Sequence, residues 1–227
     1  MTDAALPHLH IDFVSDVSCP WCAIGLSGLL RAIEALRGEV EVSLQCQPFE
    51  LNPRMGPGGQ DIGEHLTEKY GSTPEQQAQI RATIRARGEA VGFAFHPAGR
   101  GRIYNTFDAH RLLCWAGEVA PERQITFKLA LLRACHGAQQ AMDDPAVLLA
   151  AATEAGLDDA AATAVLRSDD WADEVRERED FFTANGIHGV PAVIVQQRHL
   201  LSGAQPAEVY EQVLRELATA EPATPVA

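Results

Sequence analysis

Cys19 and Cys22 are separated by Pro20 and Trp21 in the segment SCPWCAIG. Two thiols at this spacing can clip a metal, close a small disulfide, fill a core or act as a reactive dithiol. A zinc site normally takes four ligands, often as two close pairs. Here Cys46, Cys114 and Cys135 stand singly and His96, His110, His136 and His188 are dispersed, so no metal is expected. A structural disulfide closing so short a loop would constrain the unfolded chain little. Inert packing fits poorly with cysteines that bracket Pro-Trp where an extended pattern turns helical.

The reactive alternative gives each residue a physical reason. At a helix N-terminus, Cys19 meets unpaired backbone amides and the positive end of the macrodipole, which favour the thiolate, the nucleophilic form. Cys22, one turn on, can resolve a mixed disulfide on Cys19. Pro20 suits a first helical turn, where no backbone donor is needed. Trp21 offers a flat apolar neighbour that shields the site or touches substrate, or is simply a packed surface aromatic. A second element is GIHGVPAVIV, in which Pro191 directly precedes an apolar, strand-like run. Proline there is unusual in a central strand. It is either a plain loop proline or a cis Val190–Pro191 bond that opens strand backbone to an incoming peptide.

Positioning elements can be read from hydrophobic period. Leu9, Ile11 and Phe13 alternate with His10 and Asp12, and Val40, Val42 and Leu44 alternate with Glu41, Ser43 and Gln45, the period of strands. Between them Leu26, Leu29, Leu30, Ile33 and Leu36 follow helical spacing, with Gly38 as a stop. The crossover is long enough for a right-handed parallel unit. After FELNP, strand patterns disappear and helices are predicted near 61–70, 74–91, 105–118, 122–135, 145–155, 158–167 and 170–185. Pro74, Pro121 and Pro145 mark starts. VPAVIV and HLLS then read as an antiparallel pair. A final helix carries Val209, Tyr210, Val213, Leu214 and Leu217 on one face. Residues 1–55 and 186–220 are thus expected to form one discontinuous α/β domain, 56–185 an all-helical insertion, and 221–227 a flexible tail.

In this order, SCPWCAIG, a helical middle and GVPAVIV resemble the DsbA-like thioredoxin-fold family. FELNP, NTFDAHRL and LLSGAQPAEVYEQVL are similar to its FrnE-like branch of dithiol-disulfide oxidoreductases. The resemblance spans about residues 9–217. It implies a thioredoxin-like α/β fold with a large helical insertion, Cys19 as nucleophile, Cys22 as resolving thiol, and Pro191 as a cis-proline facing them. Pro20, Trp21, Val190 and Pro191 become candidate substrate-positioning residues. The resemblance implies protein disulfide oxidoreductase or isomerase activity. Related branches, the 2-hydroxychromene-2-carboxylate isomerases and kappa-class glutathione transferases, carry serine at the position of Cys19, and supply the alternative of a glutathione-dependent isomerase or transferase. A non-catalytic thiol chaperone is a third. Exported, strongly oxidising relatives usually have histidine between the cysteines. Trp21 cannot provide that cation, which shifts the expectation towards reduction or isomerisation.

The chain has 227 residues, 46% of them hydrophobic, and a formal net charge of −13. That charge opposes non-specific binding to nucleic acid or anionic membranes. No basic start followed by an apolar run is visible and no stretch approaches a membrane span, so a cytoplasmic protein is expected. Its expected partners are a disulfide-containing peptide or a small thiol or disulfide, with glutathione as candidate co-substrate and no resident cofactor. A monomer or homodimer is expected. Arg81, Arg85, Arg87, Arg100 and Arg102 form a basic cluster, read as a solvated helix face or an anion site. Cys46, Cys114 and Cys135 are expected to be buried hydrophobes.

Overall fold

The computed structural model describes residues 6–219. The chain opens with strand β1 (His8–Ser15), helix α1 (Pro20–Ala35) and strand β2 (Glu41–Pro48). β1 and β2 pair in parallel, with Phe13 opposite Cys46, as the long crossover requires. The sheet is completed from the far end of the chain by β5 (Ala192–Val195) and β6 (His199–Ser202), both antiparallel, giving the order β2-β1-β5-β6. The alternation in β1 separates its faces. Leu9, Ile11 and Phe13 pack with α1 and with Tyr210 and Leu214 of the last helix, α9 (Ala207–Thr219). Val14 packs on the other face with Ala192, Phe182 and Ile187. In α9, Tyr210 and Leu214 are buried, whereas Val209, expected on the same face, is exposed at 39%.

Between β2 and β5 lie α2 (Ile62–Tyr70), α3 (Pro74–Val91), α4 (Phe107–Val119), α5 (Pro121–Leu132), α6 (Pro145–Glu154), α7 (Asp159–Arg167) and α8 (Ala172–Ala184). Their starts are locally encoded. Asp61, Thr73, Asp144 and Asp158 accept amide hydrogens at four N-termini, and Thr73 with Gln76 forms a capping box. α4 to α7 share their own core around Leu112, Phe127, Leu131 and Leu148. The fold is therefore α/β with a helical insertion. Two details depart from the expected pattern. A two-residue ribbon, β3 (Gln60–Asp61) with β4 (Arg102–Ile103), interrupts the predicted strand-free stretch, although it pairs only with itself. The helix expected to run to Cys135 closes as α5 and continues as a π-helical turn, Arg133–Gly137. Strands of two residues carry no readable period, which explains the first departure. Residues 221–227, expected as a tail, lie outside the described residues.

The helical block is fastened to the sheet at an open edge. β2 is an edge strand, and an uncovered edge leaves amides and carbonyls unpaired. Gln124 of α5 fills one rung. Its Oε1 accepts from the Cys46 amide at 2.8 Å, and its Nε2 donates to the Cys46 carbonyl at 3.2 Å and the Leu113 carbonyl at 2.9 Å. Gly117 leaves the space, because a Cβ there would meet Gln124 Nε2 at 2.5 Å. Gln124→Leu keeps the size and orphans two buried backbone groups, each costing about 1–3 kcal/mol. Urea denaturation should show a loss of about 2–6 kcal/mol; a loss below experimental error would refute the fastening.

Candidate active site

Pro20 begins α1, and Cys19 is its N-cap in extended conformation, φ −91° and ψ 114°. The Cys22 amide donates to the Cys19 carbonyl at 3.0 Å, closing the first turn. The Cys19 sulfur makes no regular cap hydrogen bond, but the amides of Trp21 and Cys22 favour its anion. Cys19 is 5% exposed and Cys22 0%, so the first sulfur is the more accessible by a narrow margin. Trp21 and Pro20 are half-buried beside it.

The Val190–Pro191 peptide is cis, as expected from the resemblance. The Cys19 thiol donates to the Val190 carbonyl at 3.6 Å, 171 residues away in sequence. Pro191 lies on α1 at Gly25, where an added Cβ would stand 3.0 Å from the ring. A residue without a side chain is thus what lets the proline pack against the dithiol helix. All six expected site residues, Cys19, Pro20, Trp21, Cys22, Val190 and Pro191, fall in or beside one small region. His188 is exposed, as a surface loop residue.

Sequence reasoning missed the clamp beneath Cys19. Asp16 is fully buried and accepts from the Ser18 amide at 2.9 Å, the Ser18 hydroxyl at 2.8 Å and the Leu51 amide at 2.8 Å. His110 Nε2 of α4 stands 3.6 Å from its carboxylate, close enough for electrostatic contact and too far for a hydrogen bond. Burial alone would raise the Asp16 carboxyl, but His110 and the Ser18 and Leu51 amides outweigh it and hold it well below the usual range. His136, in the π-helical turn, lies 3.0 Å from the Val17 carbonyl through Nε2. Burial, with the Arg100 charge, pushes its pKa down to about 3, so the ring is neutral and Nε2 carries the donated hydrogen. Arg100 donates to the Ser18 carbonyl. Asp16, His110, His136 and Arg100 are far apart in sequence and fit ordinary cap, packing and surface roles, so only the fold reveals their convergence.

Three members of the basic cluster meet backbone of their own chain. Arg100 serves Ser18, Arg102 donates to the Gly58 and Gly59 carbonyls, and Arg81 lies against Gly99. FELNP and NTFDAHRL also acquire structural meaning. Leu51 caps Asp16, the Glu50 amide donates to Glu179, and His110 faces Asp16.

The two thiols are pushed in opposite directions. A hydrogen bond from Cys22 holds the Cys19 thiol below its usual value, against burial and the Asp16 charge. Burial raises the Cys22 thiol well above it, and the neighbouring Cys19 sulfur adds to the rise. Environment thus favours the thiolate at Cys19 and the protonated thiol at Cys22.

Residues 10–215 match the model of the DSBA-like thioredoxin domain. The chain belongs to the DsbA-like thioredoxin family. A solved structure of a probable DsbA oxidoreductase from Streptomyces coelicolor is 34% identical, with a TM-score of 0.85 over 97% of this chain and 93% of that one. A 2-hydroxychromene-2-carboxylate isomerase shares the fold at 14% identity, with a TM-score of 0.69 over 92% of this chain and 95% of its own. So does the cytosolic disulfide reductase DsbM from Pseudomonas aeruginosa, solved with GSH, at 16% identity and 0.63 over 93% of this chain and 100% of its own. No described helix is long and apolar enough to cross a membrane.

Burial pushes Cys46 and Cys135 up to about 11 and Cys114 up to about 12. Iodoacetamide at neutral pH should therefore modify the native, reduced chain once, at Cys19. A lowered thiol pKa leaves thiolate present down to a lower pH, so the rate should fall only as pH drops through that lowered value. Peptide mapping by mass spectrometry reads the site, and preferential labelling of Cys22 would reverse the assignment.

Proposed function

We propose that the chain is a thiol-disulfide oxidoreductase of the FrnE-like branch, exchanging disulfides through Cys19 and Cys22. The observation that carries this reading is the opposed pair of thiols at the start of α1, with the Val190 carbonyl 3.6 Å from Cys19. Cys19 thiolate attacks a substrate disulfide, forming a mixed disulfide and expelling one substrate sulfur as thiolate. Cys22 then attacks Cys19, the internal disulfide forms, and the second substrate sulfur leaves. Two electrons pass from the dithiol to the substrate. Two equivalents of a thiol of the glutathione class return the dithiol by the reverse steps and leave as their own disulfide.

Substrates are peptides or small molecules carrying a disulfide, seated against Trp21 and the Val190–Pro191 backbone. Net reduction or isomerisation in a reducing, cytoplasmic setting suits a motif with tryptophan rather than a cationic histidine between its thiols. A glutathione-dependent isomerase is the weaker reading, because a nucleophilic cysteine stands where those relatives carry serine.

The test uses insulin reduction with dithiothreitol as electron source. Cys19→Ser should abolish turnover. Cys22→Ala should accumulate a covalent adduct on non-reducing gels that disappears with reductant. Activity retained by Cys19→Ser would sink the mechanism.

A further inference from the structure

α5 carries a charged side chain that has no partner. Lys128 is 0% exposed, and its Nζ has no hydrogen-bond acceptor among the described residues. Buried charges are normally paired, because a lone one forfeits its hydration with nothing in return. Lys128 stands one turn after Gln124, whose amide brackets Cys46 on β2, so the two lie on the same face of the helix. Ile125, Leu129 and Leu132 beside it pack into the core cluster that contains Cys22 and Cys46. Its charge acts on both of those thiols, lowering each against the burial that raises them.

The groups around Cys22 come from four directions, and the loop before α1 brings the Asp16 backbone, whose hydrogen bond favours the thiolate. Its own helix brings the Cys19 sulfur, α5 brings Lys128 and α9 brings Tyr210, whose hydroxyl burial pushes up to about 12 and keeps neutral. Lys128 is the sole cation among them. The charge of Lys128 is felt by the thiols of Cys22 and, from β2, Cys46. Cys46 lies inside a strand at 2% exposure and has no part in exchange.

We propose that Lys128 is the buried counter-ion for the Cys22 thiolate in the step that resolves the mixed disulfide. The proposal rests on the dithiol reading above. The ammonium lacks an anion when Cys22 is a thiol and gains one when it ionises. When the Cys22 S–H ionises, its proton passes to the substrate thiolate released in the first step. The Cys22 thiolate, steadied by Lys128, attacks Cys19 Sγ. The Cys19–Cys22 bond forms, the bond from Cys19 to the substrate sulfur breaks, and the electron pair leaves with that sulfur. Lys128 acts through Cys22, as a positioning and electrostatic residue, and has no part in the first attack.

An aryl disulfide that releases a coloured thiolate separates the two steps. In stopped flow, the reduced wild-type chain should release one thiolate as Cys19 attacks and a second as Cys22 resolves. Lys128→Met should leave the first phase within about twofold and slow the second about tenfold or more at neutral pH, because the Cys22 thiolate loses its cation. The pH profile of the second phase should move to higher pH, because Cys22 must ionise without the cation. Lys128→Gln makes the same prediction and serves if circular dichroism shows that the Met variant does not fold. An unchanged second phase and pH profile in a folded variant would overturn the proposal. Equal slowing of both phases, a general distortion of the site, would also overturn it. A wild-type chain that releases only one thiolate would overturn the dithiol reading and this proposal with it.

Discussion

The loop that presents Cys19 hangs on a buried carboxylate. Asp16 holds the Ser18 amide and hydroxyl from one side and the Leu51 amide from the other, while His110 Nε2 stands 3.6 Å from its carboxylate. Removing one partner from a buried charge of this kind costs about 3–5 kcal/mol, so the loop conformation is strongly determined. His136 and Arg100 then fix the Val17 and Ser18 carbonyls. The result is a rigid approach to the first turn of α1. A thiol held this way needs little reorganisation to meet a partner.

These contacts also tie the helical insertion to the loop before α1. His110 comes from α4, Lys128 from α5, His136 from the π-helical turn and Arg100 from the loop before β4. The sheet supplies the dithiol helix and the cis-proline strand, and the insertion supplies polar side chains that reach the loop before α1. Gln124 couples the two by completing the edge of β2. The Arg176 contacts with Glu50 and Glu179 add a further tie between α8 and the segment after β2.

Long periodic elements were legible in the sequence. The 3.6-residue spacing of α1, the alternation of β1 and the proline starts of α3, α5 and α6 all appear where expected, within a few residues. The dithiol and Pro191 were legible because their residue types and order are unusual. The clamp was not, because Asp16, His110, Arg100 and His136 meet only after the insertion folds back, and none has a local signature. Lys128 was hidden for a related reason. A lysine in an amphipathic helix reads as solvent-facing, and only the packing of α5 in the fold, against β2 among others, removes it from water. The π-helical turn escaped notice because its sequence continues a helical pattern while its hydrogen bonds do not.

The central claim is that Cys19 and Cys22 form one reversible redox couple, isolated from the other thiols. Equilibration of the native chain in redox buffers, followed by acid quenching, alkylation and peptide mapping, tests it directly. The account predicts a single two-electron transition confined to Cys19 and Cys22, lost in Cys19→Ser, with Cys46, Cys114 and Cys135 reduced throughout. A disulfide that includes any of those three, or the absence of a reversible transition, would contradict it.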